Sequence, residues 1–125
     1  MNNNEYKEFH NIVGKLLEIF PEFTSSQERK EVYENDGPYI YMSYFGDFLL
    51  NKIEEDKDSE FVRRAFDFIN SSFEDPALNS HIWDLFGIEI FERFEMEDHY
   101  VKLANELLKG KALLAFQKRE GRPKE

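Results

Sequence analysis

Residues 39–50 read Tyr39-Ile40-Tyr41-Met42-Ser43-Tyr44-Phe45-Gly46-Asp47-Phe48-Leu49-Leu50, and the conformation of this stretch decides the fold class. As a strand, Tyr39 to Ser43 would alternate β-favouring aromatics with other residues and bring a sheet into the chain. As a helix, the stretch starts from Pro38, whose missing N–H costs nothing in a first turn. Tyr41, Phe45, Phe48 and Leu49 then line one face with Lys52 and Ile53. This three- and four-residue spacing runs unbroken to Ile53, well past the end of the strand pattern. Helix is the favoured reading; a short strand over 39–43 stays open.

The same period recurs on both sides. Before it, Tyr6, Phe9, Val13, Leu16, Leu17 and Phe20 form one apolar stripe on a helix from about Asn4 to Ile19, which Pro21 stops. Ser25 with Glu28 makes a capping box that opens a short polar helix to about Glu34, and Asn35-Asp36-Gly37-Pro38 is a turn. After it, Glu54-Glu55-Asp56-Lys57-Asp58 is a charged connector, with Asp58 or Ser59 placed to cap the next helix. That helix carries Phe61, Val62, Ala65, Phe66, Ile69 and Phe73. Asp75-Pro76 begins another, which carries Leu78, Ile82, Leu85, Phe86, Ile90 and Phe94. Trp83 and Phe91 widen its stripe, and Gly87 is placed to bend it.

Beyond the connector Glu95-Met96-Glu97-Asp98, the residues Tyr100, Leu103, Ala104, Leu107 and Leu108 form a helix that reaches Gly110. A turn or two follows over Ala112, Leu113, Leu114 and Phe116. The expected fold is all-α: about six short amphipathic helices in an antiparallel bundle or a small stack of helical hairpins. Residues 1–117 make one domain and 118–125 a frayed basic tail. No repeat of fixed period is present.

Composition agrees. The chain has 125 residues, 41% of them hydrophobic and 13 of them Phe, enough for one core. Net charge is −10, and the basic residues Lys118, Arg119, Arg122 and Lys124 lie in the tail, leaving the body more acidic still. Such a field repels phosphate backbones and anionic lipid, and it favours a basic protein partner. With no Cys, disulfides, thiolate nucleophiles and Cys-ligated metals are excluded. Met-Asn-Asn-Asn-Glu has no basic stretch leading into an apolar one, and apolar runs fall far short of the roughly 20 residues of a membrane helix. The expected location is the cytoplasm.

Catalytic patterns are weak. There is no glycine-rich phosphate loop, Gly-x-Ser-x-Gly elbow or His-Glu-x-x-His pair. Glu92, Glu95 and His99 have helical spacing, but Met96 stands where a bundle metal site needs the Glu of Glu-x-x-His. Asp56-x-Asp58-x-Glu60 opens like a calcium loop, yet its sixth residue is Phe61 and its twelfth Asp67. Asp47, Asp67 and Asp84 lie near apolar stretches where burial would raise their pKa values, but at helical spacing each is more simply the polar edge of an amphipathic face; His81 precedes Asp84 by three. An enzyme built on such a site is the third-ranked reading, and no cofactor or metal is expected.

Two features suit a binding surface. Tyr39, Tyr41, Tyr44, Phe45 and Phe48 crowd into ten residues, and tyrosine is common at interfaces. Acidic residues gather at two helix junctions: Glu54, Glu55, Asp56, Asp58 and Glu60, then Glu89, Glu92, Glu95, Glu97 and Asp98. Alternate junctions of a hairpin stack fall at the same end, so the clusters are expected to share an edge. The residues proposed for a partner are Tyr39, Tyr44, Glu54, Glu55, Asp56, Glu95, Glu97 and Asp98.

Residues 61–116, with Ile90-Phe91-Glu92-Arg93-Phe94, Tyr100, Ala104, Leu107-Leu108 and Gly110-Lys111, together with Ile19-Phe20-Pro21-Glu22-Phe23, resemble small uncharacterised bacterial helical proteins. Some of those are immunity proteins of polymorphic or contact-dependent toxin systems. The resemblance covers about half the chain, rests mainly on core and capping positions, and transfers no functional residue. It implies an immunity or antitoxin-like inhibitor that occludes a basic toxin domain such as a nuclease. A helical adaptor of unknown pathway is the alternative.

Overall fold

Helix α4, Glu60–Glu74, is the axle of the structure, a computed structural model that describes residues 12–26, 30, 37–75 and 80–120. Ser59 caps it, its hydroxyl accepting from the Val62 N–H at 3.3 Å. Phe61, Val62, Ala65, Phe66, Phe68, Ile69, Ser72 and Phe73 are all buried, so α4 has neighbours over more than half its circumference.

Those neighbours are helical throughout. Residues 12–19 form α1. After a break at Phe20, Pro21–Thr24 forms α2, with Pro21 in its first turn. The stretch with two readings is helix: α3 runs Pro38–Glu55 and buries Met42, Phe45, Phe48, Leu49 and Ile53. The strand over 39–43 is thereby ruled out, because the apolar side chains repeat with a helical period and find a core at that period. The next helix, α5, is composite: Ser80–Phe86, a π turn over Gly87–Phe91, then Glu92–Phe94. Phe86 and Phe91 are both fully buried although five residues apart, the spacing one π turn supplies. Helix α6 is Asp98–Leu107 and α7 is Gly110–Glu120. Among the described residues there is no strand, and no helix is long and apolar enough to cross a membrane.

The buried side chains form one continuous cluster. Phe20, Phe23, Phe45, Phe48 and Phe61 interlock at one end, with centroid separations from 4.9 Å (Phe20–Phe45) to 6.4 Å (Phe45–Phe61). Phe66, Phe73, Phe86, Phe91, Phe94 and Phe116 fill the other end. Helix α4 also dictates the α6–α7 corner. Asn70 donates to the Leu107 carbonyl (3.1 Å) and accepts from the Lys109 N–H (2.8 Å), while Glu74 accepts from the Lys111 N–H (2.9 Å). Gly110 turns that corner at φ 55°, a conformation that suits glycine.

Two sequence expectations change. The last helix is not a turn or two but eleven residues, and it takes in Lys118 and Arg119, which the sequence places in a frayed tail. Arg119 is held there by Glu92 and Glu95 of α5. Residues 121–125 lie outside the described residues, as do most of the expected helix from Ser25 to Glu34, the first part of the N-terminal helix with Tyr6 and Phe9, and Pro76 and Leu78.

Candidate functional site

The two acidic junctions meet. Glu54 is in the last turn of α3, and His99 and Tyr100 are in the first turn of α6; one carboxylate oxygen joins them. Glu54 Oε1 accepts from the Tyr100 hydroxyl and lies 2.9 Å from His99 Nε2. The other face of that ring, Nδ1, is 3.5 Å from Glu97 Oε2, so His99 stands between one carboxylate from each junction. Its ring also packs against Tyr100, centroids 4.1 Å apart.

Local chemistry builds each side. Asp56 ends α3 in an extended conformation and its carboxylate accepts from the Asp58 N–H at 3.0 Å, which tightens the connector. Across from it, Glu97 precedes α6 in an extended conformation, and Asp98 adds negative charge to that helix's first turn, where the helix dipole favours it. A shallow depression of about 550 Å³ lies between the junctions, with Ile53 and Leu103 at its base and Glu54, Asp56, Asp58 and Lys102 among its walls.

The same contacts shift the pKa values of Glu54 and Tyr100. The Tyr100 hydroxyl, followed by His99, holds the Glu54 carboxyl below its ordinary range. Burial, followed by the bond to Glu54, pushes Tyr100 up to about 12. The Tyr100 hydroxyl donates and Glu54 accepts, so the bond ties the end of α3 to the start of α6.

The expected binding residues divide. Glu54, Glu55, Asp56, Glu97 and Asp98 all lie exposed at this end, Glu55 with an ion pair to Lys52 at 3.3 Å. Glu95 does not join them: it turns inward to Arg119 Nε, 3.1 Å away, and shares that guanidinium with Glu92. Tyr39 and Tyr44 are part-buried against the core. They sit about 22 and 15 Å up α3 from Glu54, at 1.5 Å per residue. The tyrosines and the acidic end are therefore separate surfaces.

The carboxylates considered for acid–base work lie at the polar edges of their helices, the simpler of their two readings. Asp47, Asp67 and Asp84 are all exposed, and Asp47 accepts from Arg93 Nε at 3.0 Å. The His81 side chain and His10 lie outside what is described. Among the described residues no three His, Cys, Asp or Glu side chains group so as to hold a metal ion, and Glu95 and His99 go to different partners.

Sequence reasoning missed the roles of His99 and Tyr100, and it missed Arg93. No local pattern could reveal them, since Glu54 finds its partners 45 and 46 residues away. Arg93 donates to Ser43 (2.8 Å), to Asp47 and to the Glu89 carbonyl, binding α5 to α3. Gly46 makes room for it: a Cβ there would come within 2.8 Å of Arg93 Cδ and of the Glu89 carbonyl oxygen.

A small all-helical protein with one core and an acidic, histidine-centred end is the class that fold and site define. Residues 13–120 match the family described as a domain of unknown function, DUF7674, and the chain belongs to that family. No curated protein and no solved structure matches the chain significantly.

Proposed function

We propose that this chain is a non-catalytic protein-binding module that docks a basic partner on its acidic end, as an immunity protein or antitoxin-like inhibitor occludes a cognate toxin. The observation that carries this reading is the convergence of the 54–58 and 97–99 junctions on one end of the fold. Glu54 and Glu97 flank His99 there, and Glu55, Asp56 and Asp98 stand exposed beside them.

Several physical points support it. A cluster of like charge on a chain of net charge −10 steers a basic protein toward this end and speeds its encounter. The internal bonds of Glu54 pre-orient its carboxylate, so less conformational entropy is lost there on docking. The Tyr100 hydroxyl that holds Glu54 is carried on a ring anchored in the core, which stiffens this end.

The test is purification from the producing cells at low ionic strength, followed by a salt step. A basic partner should be retained at low salt and released as screening rises. A triple variant, Glu55→Gln, Asp56→Asn and Asp98→Asn, leaves the Glu54–Tyr100 bond and an acceptor for the Asp58 N–H in place and should fold normally yet fail to retain it. Recovery of the wild-type chain without a basic partner, or retention by the triple variant, would overturn the proposal.

A further inference from the structure

A second surface has the opposite character. Where the π turn of α5 passes α7, three large apolar side chains reach solvent: Trp83 is 42% exposed, Ile88 44% and Leu114 60%. They border one groove of about 380 Å³. Single exposed apolar residues are ordinary, but three around one groove are the kind of patch that marks an interaction site. Trp83, the chain's one tryptophan, stacks on buried Phe73 with ring centroids 5.5 Å apart, so the core holds it in place while part of the indole faces out. Tryptophan is among the residues enriched at the energetic centres of interfaces.

The rim reverses the sign of the protein. Lys111, Lys118 and Arg119 line the groove, against the single carboxylate of Asp84. Arg119 is already neutralised by Glu92 and Glu95. The ammonium groups of Lys111 and Lys118 meet no carboxylate among the described residues. On α7, Lys111, Leu114, Ala115 and Lys118 follow the i, i+3, i+4, i+7 pattern of one helix face. That face therefore presents an apolar centre between two cations about 10 Å apart along the axis.

We propose that this groove docks a short amphipathic segment of a partner protein in which two or three bulky apolar side chains lie between carboxylates. The apolar side chains seat on Trp83, Ile88 and Leu114, and the carboxylates meet Lys111 and Lys118. Charge complementarity sets the choice of occupant. A basic segment would be repelled by both lysines, and a second copy docking through the same groove would set its own Lys111 and Lys118 against these two. The groove thus differs in partner chemistry from the acidic end, and either surface can fail its test without the other.

The experiment places a photo-crosslinking p-benzoylphenylalanine at Leu114 of the full chain in the producing cells. The control carries it at Gly14, an exposed position with open space around it. The expected result is an adduct at 114 in excess of that at 14, mapping to a segment that combines apolar residues with Asp or Glu. The double variant Lys111→Glu, Lys118→Glu should cut that adduct about tenfold with its thermal melt unchanged. A synthetic peptide of the mapped segment should shift Trp83 fluorescence on titration, with the same loss in the double variant. The proposal is overturned by an adduct to a second copy or to a basic segment, by equal yields at 114 and 14, or by a yield indifferent to the charge reversal.

Discussion

Glu54 and Tyr100 lie 46 residues apart in the chain and one hydrogen bond apart in space, the tyrosine hydroxyl donating to the carboxylate. Tyr100 is anchored in the core by its ring, so the bond fixes a solvent-exposed carboxylate to the rigid part of the protein. Glu54 is consequently the member of the acidic end whose position is least free to change. The end of α3 and the start of α6 are joined through it, and any partner would meet a preset charge pattern there.

That bond gives the acid limb of stability a predictable sign. The folded pKa of Glu54 lies below its ordinary value of 4.5, so its contribution is complete above that value. It is lost as pH falls through the folded pKa. Glu54→Gln should therefore narrow its gap to wild type as thermal melts move from about pH 7 to about pH 3. A gap that stayed constant would mean that the charged carboxylate contributes nothing through its bonds.

Tyr100 makes the complementary case in alkali. Its pKa is raised from 10.0 to about 12, so its contribution is complete below the ordinary value and is lost as pH climbs through about 12. Ultraviolet titration of tyrosinate should show a late component that Tyr100→Phe removes. Persistence of that component in the variant would assign it to another of the six tyrosines.

Much of this architecture is legible in the sequence, and the limits have a physical cause. The period from Tyr41 to Ile53 shows a helix because a helix and a core make the same demand on spacing. The meeting of the two acidic junctions follows from hairpin alternation alone. Which carboxylate faces outward is a different matter, since it depends on the rotation of helices distant in sequence. Glu95 and Glu97 are two residues apart in one connector, yet Glu95 binds Arg119 of α7 and Glu97 faces His99. The exposed side of Trp83 was equally hidden, because its spacing is that of a core residue and only the position of α7 leaves it half open. The two-to-one geometry of Arg119 between Glu92 and Glu95 is a long-range contact of the same sort.

Three glycines should respond to alanine in different ways. At Gly14 nothing lies within 4 Å of an added Cβ, and replacing an exposed helical glycine stabilises by up to about 1 kcal/mol. At Gly46 the same gain is opposed by a collision at 2.8 Å with the Glu89 backbone oxygen, which cannot swing away. Overpacking of this kind costs about 1–3 kcal/mol, so the net effect is destabilising. At Gly110 the φ of 55° costs alanine about 1–2 kcal/mol, and the Cβ would also press on Glu74 Oε1 at 2.6 Å. Urea unfolding of the three variants should rank Gly14→Ala above wild type and the other two below it.

Arg64 clamps the α1–α2 elbow onto α4, and a lysine there should fail to replace it. Its Nη1 donates to the Ile19 carbonyl at 3.0 Å, and its two terminal nitrogens grip both oxygens of Glu22 at 3.0 and 2.7 Å. The guanidinium also lies 5.7 Å from the Phe20 ring centroid and 5.6 Å from that of Phe61. Lysine keeps the charge but loses the planar fork and most of the ring contact. Glu22 is 40% exposed, so solvent screening limits the ion pair itself to about 1 kcal/mol, and the carbonyl bond and packing bring the cost of Arg64→Lys to about 1–2 kcal/mol. The bond from Arg64 lowers the pKa of Glu22, so this contribution is present above the ordinary carboxylate value of 4.5 and fades as pH falls through the folded pKa. A double-mutant cycle with Glu22→Gln, run at about pH 7 and about pH 3, should show coupling at the higher pH and little at the lower. Absence of coupling at either pH would place the Arg64 contribution in its contacts with Ile19, Phe20 and Phe61 instead of in the pair.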